Sequence, residues 1–190
     1  MMLLMGLACT LTTPEKVEEA ALLDDYGVVP TFSLTDETGA TFTDQALRGK
    51  VWVADFFFTS CPDICPVLSG HMAEIQMHYR ERDDFELVSF SVDPNTDTPP
   101  VLQAYARRVS AIPGRWHFLT GPLGDIRTVV VDGFKQAIEA QPAQRTDPAT
   151  ILHGARFVLV DRVGHIRAWP DPKEPGKRDL YAAIDAALKE

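Results

Sequence analysis

The sequence predicts an α/β fold in which a mixed central sheet is flanked by helices and preceded by an N-terminal β-hairpin. Three observations carry this reading. Val51 to Ala54 continue into Phe56 to Phe58, a β-branched and aromatic run typical of a strand buried on both faces. Directly after it Val67, Leu68, Met72, Ile75, Gln76 and Tyr79 recur at the period of one helix face, and a second strand (85–92) and helix (100–109) follow. Strand, helix, strand, helix with single crossovers implies parallel neighbours and right-handed connections. Near the C-terminus, residues 155–161 and 165–169 around the turn Arg162-Val163-Gly164 read as a hairpin, which adds antiparallel pairs and makes the sheet mixed.

The remaining elements follow in order. Residues 31–35 and 40–42 alternate apolar and polar positions around Asp36-Glu37-Thr38-Gly39, the signature of the first hairpin. Asp44 is placed to cap a short helix ending at Gly49. The loop 93–100 is dense in turn formers, with Asp93, Pro94, Asn95, Pro99 and Pro100. Residues 116–121 read as a short strand or turn, 122–131 as a helix, and 133–138 as a strand or short helix. Residues 139–153 carry Pro142 and Pro148 without periodicity and read as a surface loop with His153 at its end. From Gly176, the spacing of Leu180, Ile184 and Leu188 marks an amphipathic terminal helix.

The chain of 190 residues is 45% apolar and 24% charged, enough for one domain with a full core. Its formal net charge of -9 leaves no basic stripe to neutralise phosphates, which argues against nucleic acid as a partner. Residues 1–29 are expected to be a signal or anchor remnant and tether, and residues 30–190 the globular domain. Met1 to Cys9 form a short apolar run ending in small residues before a cysteine, which resembles the end of a bacterial lipoprotein signal. The run is too short to span a bilayer, and it reads either as an export or anchor segment, with Cys9 as the lipidation site, or as a frayed N-terminus.

Chemistry concentrates at the turn Thr59-Ser60-Cys61-Pro62-Asp63-Ile64-Cys65-Pro66, between the first central strand and its helix. Pro66 disfavours a helical Cys65, so the regular helix is expected to start at Pro66 with Cys65 at or near its N-cap. There the helix terminus favours thiolate over thiol, which suits both metal binding and redox exchange. The spacing is Cys-x-x-x-Cys, not the Cys-x-x-Cys of dithiol oxidoreductases. Asp93, at the end of the second central strand, either orients a ligand or shifts a thiol pKa, or it simply caps a turn. Asp63, between the thiols, either touches a partner or plays no part in the chemistry. Among the other histidines, His71, His78 and His165 read as surface residues and His117 as packed or hydrogen-bonded; Met72 reads as core.

Within a fold that looks thioredoxin-like, these blocks resemble the Sco/SenC family of copper-binding proteins. The resemblance lies in Phe58 to Pro66 with Leu68 and Met72, and in Ser91 to Pro94 through Asp97 to Pro99 with Leu102 and Tyr105. It continues through residues 116–121 to His153 before Phe157 to Asp161, in family order across residues 30–190. Ser60 stands where the family often has histidine, and Gly154 where it often has serine or threonine; neither change removes a ligand. The resemblance implies copper, as Cu(I) or Cu(II), on Cys61, Cys65 and His153. It further implies a chaperone that delivers the metal to the binuclear copper site of cytochrome c oxidase subunit II, or reduces that site's cysteines, from the bacterial periplasm and anchored to the membrane. Other periplasmic copper or thiol-redox proteins are further expected partners. Two alternatives stay open: a thiol-disulfide oxidoreductase working through the redox-active Cys61/Cys65 dithiol, and a redox or copper sensor.

Overall fold

A computed structural model describes residues 23–62, 64–135, 137–138, 152–153, 156–170 and 176–190. The apolar run becomes β3 (Val51–Phe57), all seven residues of which are buried. It sits at the centre of a five-stranded sheet of order β5-β4-β3-β8-β9. β4 (Phe85–Ser91) and β5 (Trp116–Leu119) lie parallel to β3 on one side, and β8 (Val158–Val160) and β9 (Ile166–Ala168) form antiparallel pairs on the other. The mixed sheet expected from the sequence is therefore present. The first hairpin, β1 (Ser33–Thr35) and β2 (Thr41–Thr43), docks on the end of β5 through reciprocal Thr35 and Thr120 backbone bonds of 2.8 Å.

Burial on both faces follows from strand alternation. Trp52 and Phe56 point one way, where Phe134 lies 5.9 and 5.4 Å from their ring centres and Phe90 joins them at 5.9 Å from Phe56. The next position points the other way: Phe57 meets Tyr105 at 5.1 Å and Phe118 at 5.7 Å. That second face carries α1 (Ile64–His78), α2 (Pro99–Arg108) and α4 (Gly176–Ala187). The Tyr79 hydroxyl donates to Asp185 at 2.9 Å and joins the end of α1 to α4. The Ser69 and Tyr105 hydroxyls, 2.8 Å apart, join α1 to α2. Gln76, buried, fastens α1 to the loop beyond α2 by donating to the Ser110 carbonyl and accepting from the Ile112 N–H.

Several elements differ from the sequence reading. The stretch expected as one helix over 122–131 is a short α3 (Leu123–Arg127) that continues as wider π-type turns over Thr128–Gly133. Its end packs so closely on Pro30 that a Cβ at Gly133 would lie 2.5 Å from the proline ring, which explains a glycine there. Asp44 opens a single tight turn, and its carboxylate accepts from the Phe32 N–H at 3.2 Å without capping the turn. Ordered contacts begin before Pro30: Tyr26 and Val29 donate to the Ile166 and Gly164 carbonyls and extend the sheet beyond β9. A two-stranded ribbon, β6 (Ala137–Ile138) with β7 (Leu152–His153), brackets the loop whose interior lies outside the described residues. No helix among the described residues is long and apolar enough to cross a membrane.

Candidate functional site

The site is built where β3 and β4 end together, since loops at the carboxyl ends of neighbouring parallel strands share one rim. After β3 the chain turns tightly at residues 58–61, closed by the Cys61 N–H donating to the Phe58 carbonyl at 3.2 Å. α1 then starts at Ile64, two residues earlier than Pro66 alone implies. Cys65 is consequently inside the first helical turn. Pro66 is still accommodated, because the first-turn N–H groups have no helical acceptor and the missing donor costs nothing there.

Both cysteines are free thiols, Cys61 8% and Cys65 1% exposed, set on one turn at the start of α1. Burial pushes the Cys65 thiol well above its ordinary range, the neighbouring Cys61 side chain pushes it further, and the Phe58 backbone only partly opposes this. The sequence-based expectation that the helix start favours a Cys65 thiolate is thus overturned, because a partial helix charge is outweighed by the loss of water around the sulfur. In reduced protein, iodoacetamide is expected to label Cys61 ahead of Cys65, read by peptide mass spectrometry over time. Equal labelling rates would contradict the greater access of Cys61 and the raised Cys65 thiol.

Beneath the thiols lies a group that the sequence reading passed over. Asp55 is 1% exposed on the Phe57 face of β3; one carboxylate oxygen accepts from the Ser89 hydroxyl, which in turn accepts from the Trp116 indole N–H at 2.8 Å. Its other oxygen has no hydrogen-bond partner among the described residues. Burial raises the Asp55 carboxyl to about 7, and its charge contributes to raising both Cys65 and Tyr105. The signal was present: an aspartate centred in an otherwise apolar strand has to be paired or functional.

Asp93 is half-buried, and its backbone carbonyl accepts from Thr96 and Asp97, which is the turn-capping role. The buried carboxylate of that loop belongs instead to Asp97, which the sequence reading did not single out. It accepts from the Ser91 hydroxyl at 2.6 Å, from the Thr59 N–H at 3.1 Å and from the Thr59 hydroxyl.

His153 is placed by its backbone in β7, opposite Ala137. Asp63 and Cys9 lie outside the described residues. His117, packed on the Phe42 ring with its Nε2 3.4 Å from Glu86, and the core residue Met72 are as expected. His78 is exposed and stacks edge-on against Tyr181, while His165 bonds Asp25 at 2.8 Å. His71 is half-buried and not a plain surface residue. Among the described residues no cluster of three or more histidine, cysteine, aspartate or glutamate side chains gathers, so the thiol pair is the described donor set. Two adjacent sulfurs suit a soft metal ion or a disulfide.

Comparison with known proteins decides the family. The sequence profile of the SCO1/SenC family matches residues 21–189, nearly the whole chain. The chain belongs to the SCO1/SenC family. Its fold is accordingly thioredoxin-like. The structure is similar to that of a SCO1/SenC family lipoprotein from Bacillus anthracis, at 31% identity and a TM-score of 0.77, covering 88% of this chain and 99% of that one. It is similar to BsSco, described as a member of the Sco family of cytochrome c oxidase assembly proteins with a disulfide switch. That match has 28% identity and a TM-score of 0.75 over 88% of this chain and 98% of the other. A third similar structure is Bradyrhizobium japonicum ScoI with copper bound, at 27% identity and a TM-score of 0.67, covering 84% and 98% of the two chains. Ordered contacts from Leu23 onward fit a SCO1/SenC domain match that starts before Pro30.

Proposed function

We propose that this SCO1/SenC protein is a copper chaperone that carries its cargo on Cys61 and Cys65, with His153 as the third ligand. The acceptor is the binuclear copper site of cytochrome c oxidase subunit II. The observation that supports this most is the free Cys61/Cys65 thiol pair at the rim of the sheet. It stands in a chain related to a copper-bound ScoI and to an oxidase assembly protein.

The residues act in a definite order. Only the reduced pair can take up the metal, and each thiol must give up its proton as its sulfur binds. The Cys65 proton is hard to remove because burial and the neighbouring Asp55 charge both favour the neutral thiol. Copper therefore competes with a tightly held proton at Cys65, which keeps uptake reversible. Two thiolates favour Cu(I), and an imidazole widens the set to Cu(II). His153 can leave while the two thiolates hold, and the metal passes stepwise to the acceptor's own ligands. Periplasmic placement, with an anchor at the N-terminus through a lipidated Cys9, agrees with a relative described as a lipoprotein.

A second reading has its own support. Two free thiols on one turn can close a disulfide, and BsSco is described with a disulfide switch. The chain would then reduce the acceptor's cysteines before loading them. His153→Ala separates the roles: Cu(II) affinity, followed by titration and absorption spectra, should fall more than roughly tenfold, as loss of even an outer partner of a metal site does. Dithiol oxidation should stay unchanged. Unaltered Cu(II) binding would remove His153 from the ligand set, and failure to pass copper to a purified subunit II domain would leave the sensor or reductase reading.

A further inference from the structure

We infer that Asp97 is a positioning residue for the dithiol, holding Cys61 beside Cys65; the inference rests on the copper and redox reading of that pair. Asp97 is fully buried, yet it does not cap the helix it precedes: Thr98 takes the position before α2. Instead its carboxylate reaches back across the rim. The Thr59 N–H lies 3.1 and 3.3 Å from its two oxygens, the Thr59 hydroxyl donates to one of them, and the Ser91 hydroxyl donates to the other at 2.6 Å. Thr59 is the central anchor of the tight turn that presents Cys61, whose own N–H is spent on Phe58. Asp97 thus ties the cysteine turn to the end of β4 through a backbone and a side-chain donor of the same residue.

A loop could be stapled at lower cost by neutral groups, since a buried carboxylate gives up hydration that only several donors recover. Burial does raise the Asp97 carboxyl above its ordinary range. The four contacts instead match a need for an acceptor of several bonds in a fixed plane. An asparagine in its place could keep one oxygen facing Thr59 but would turn an amide N–H toward the remaining donors.

The consequence for chemistry is proximity. Disulfide closure and two-sulfur chelation both depend on the second thiol's effective concentration at the first, and a turn free to swing dilutes it. In Asp97→Ala, copper affinity of the full chain should fall roughly tenfold to a hundredfold, the range for outer partners of metal ligands. The reduction potential of the Cys61/Cys65 pair should become less negative, by about 30 mV for each tenfold loss of effective concentration. Asp97→Asn should show smaller shifts in the same directions. Thr59→Val, which removes only the hydroxyl, should shift both readouts less when Asp97 is already replaced than when it is present.

The inference is overturned if copper affinity and reduction potential stay at wild-type values while only the melting temperature drops, for then Asp97 merely holds a loop. Additive effects of the Thr59 and Asp97 substitutions would also overturn it. Should Asp97→Ala not fold, Asp97→Asn and Thr59→Val carry the same two readouts. If the wild-type chain itself binds no copper, the chaperone reading fails, whereas the potential of the pair still decides the role of Asp97.

Discussion

Cys65→Ser, purified under reducing conditions with copper supplied, is expected to lose copper almost completely. A hydroxyl is a hard, protonated donor and cannot replace a thiolate toward Cu(I). Removing a ligand should cost more than the roughly tenfold to hundredfold lost with an outer partner, so affinity should fall beyond about 100-fold. The fold should survive, because the change is nearly isosteric and leaves the backbone bond that closes the cysteine turn in place. Cys61→Ser should behave alike in copper binding, with thermal unfolding close to wild type in both. Retained copper in either variant would move the metal off the dithiol.

The second large effect concerns stability and pH. In the folded chain the Asp55 carboxyl is raised from 3.8 to about 7 by burial. The folded state therefore keeps a proton that the unfolded state releases, and stability attributable to Asp55 falls as pH rises from about 4 to about 7, then levels off. Below that window both states are protonated and the ionisation penalty is absent; above it the ionised, half-partnered carboxylate carries its full penalty. Every tenfold difference in proton affinity between the two states is worth about 1.4 kcal/mol, so the swing across the window is roughly 4 kcal/mol. Asp55→Asn keeps an oxygen for Ser89 but cannot ionise. Its stability relative to wild type, from urea unfolding at a series of pH values, should improve by roughly that swing between about pH 4 and about pH 8. Its value at the acid end should be slightly unfavourable, because the new N–H is buried without an acceptor. Parallel stability curves for the two proteins would show that Asp55 is ionised throughout and that its unpartnered oxygen is satisfied.

How far the sequence could be read depended on whether local pattern or tertiary surroundings decide a feature. β3, α1, β4 and α2 follow from hydrophobic period alone, because each buries a face whose spacing matches its own geometry. The two cysteines were legible for the same reason, lying at a strand-to-helix junction. The wider turns after α3 were not, since they arise where Gly133 meets Pro30 across the fold.

The ionisation of Cys65 was misjudged because a helix start can be read along the chain, whereas the burial that raises the thiol depends on distant parts of the chain packing together. Asp55 and Asp97 were missed for a related reason. Their partners Ser89, Trp116, Ser91 and Thr59 become neighbours only through the parallel pairing of β3 with β4 and β4 with β5.

Whether the Cys61/Cys65 pair is a copper site, and not solely a redox dithiol, is decided by metal analysis of the full chain purified under reducing conditions with copper supplied, paired with thiol labelling of the same sample. One-to-one copper is expected, with both cysteines protected from the label until the metal is chelated away. Copper-free protein with two reduced, reactive thiols would contradict the copper-site assignment.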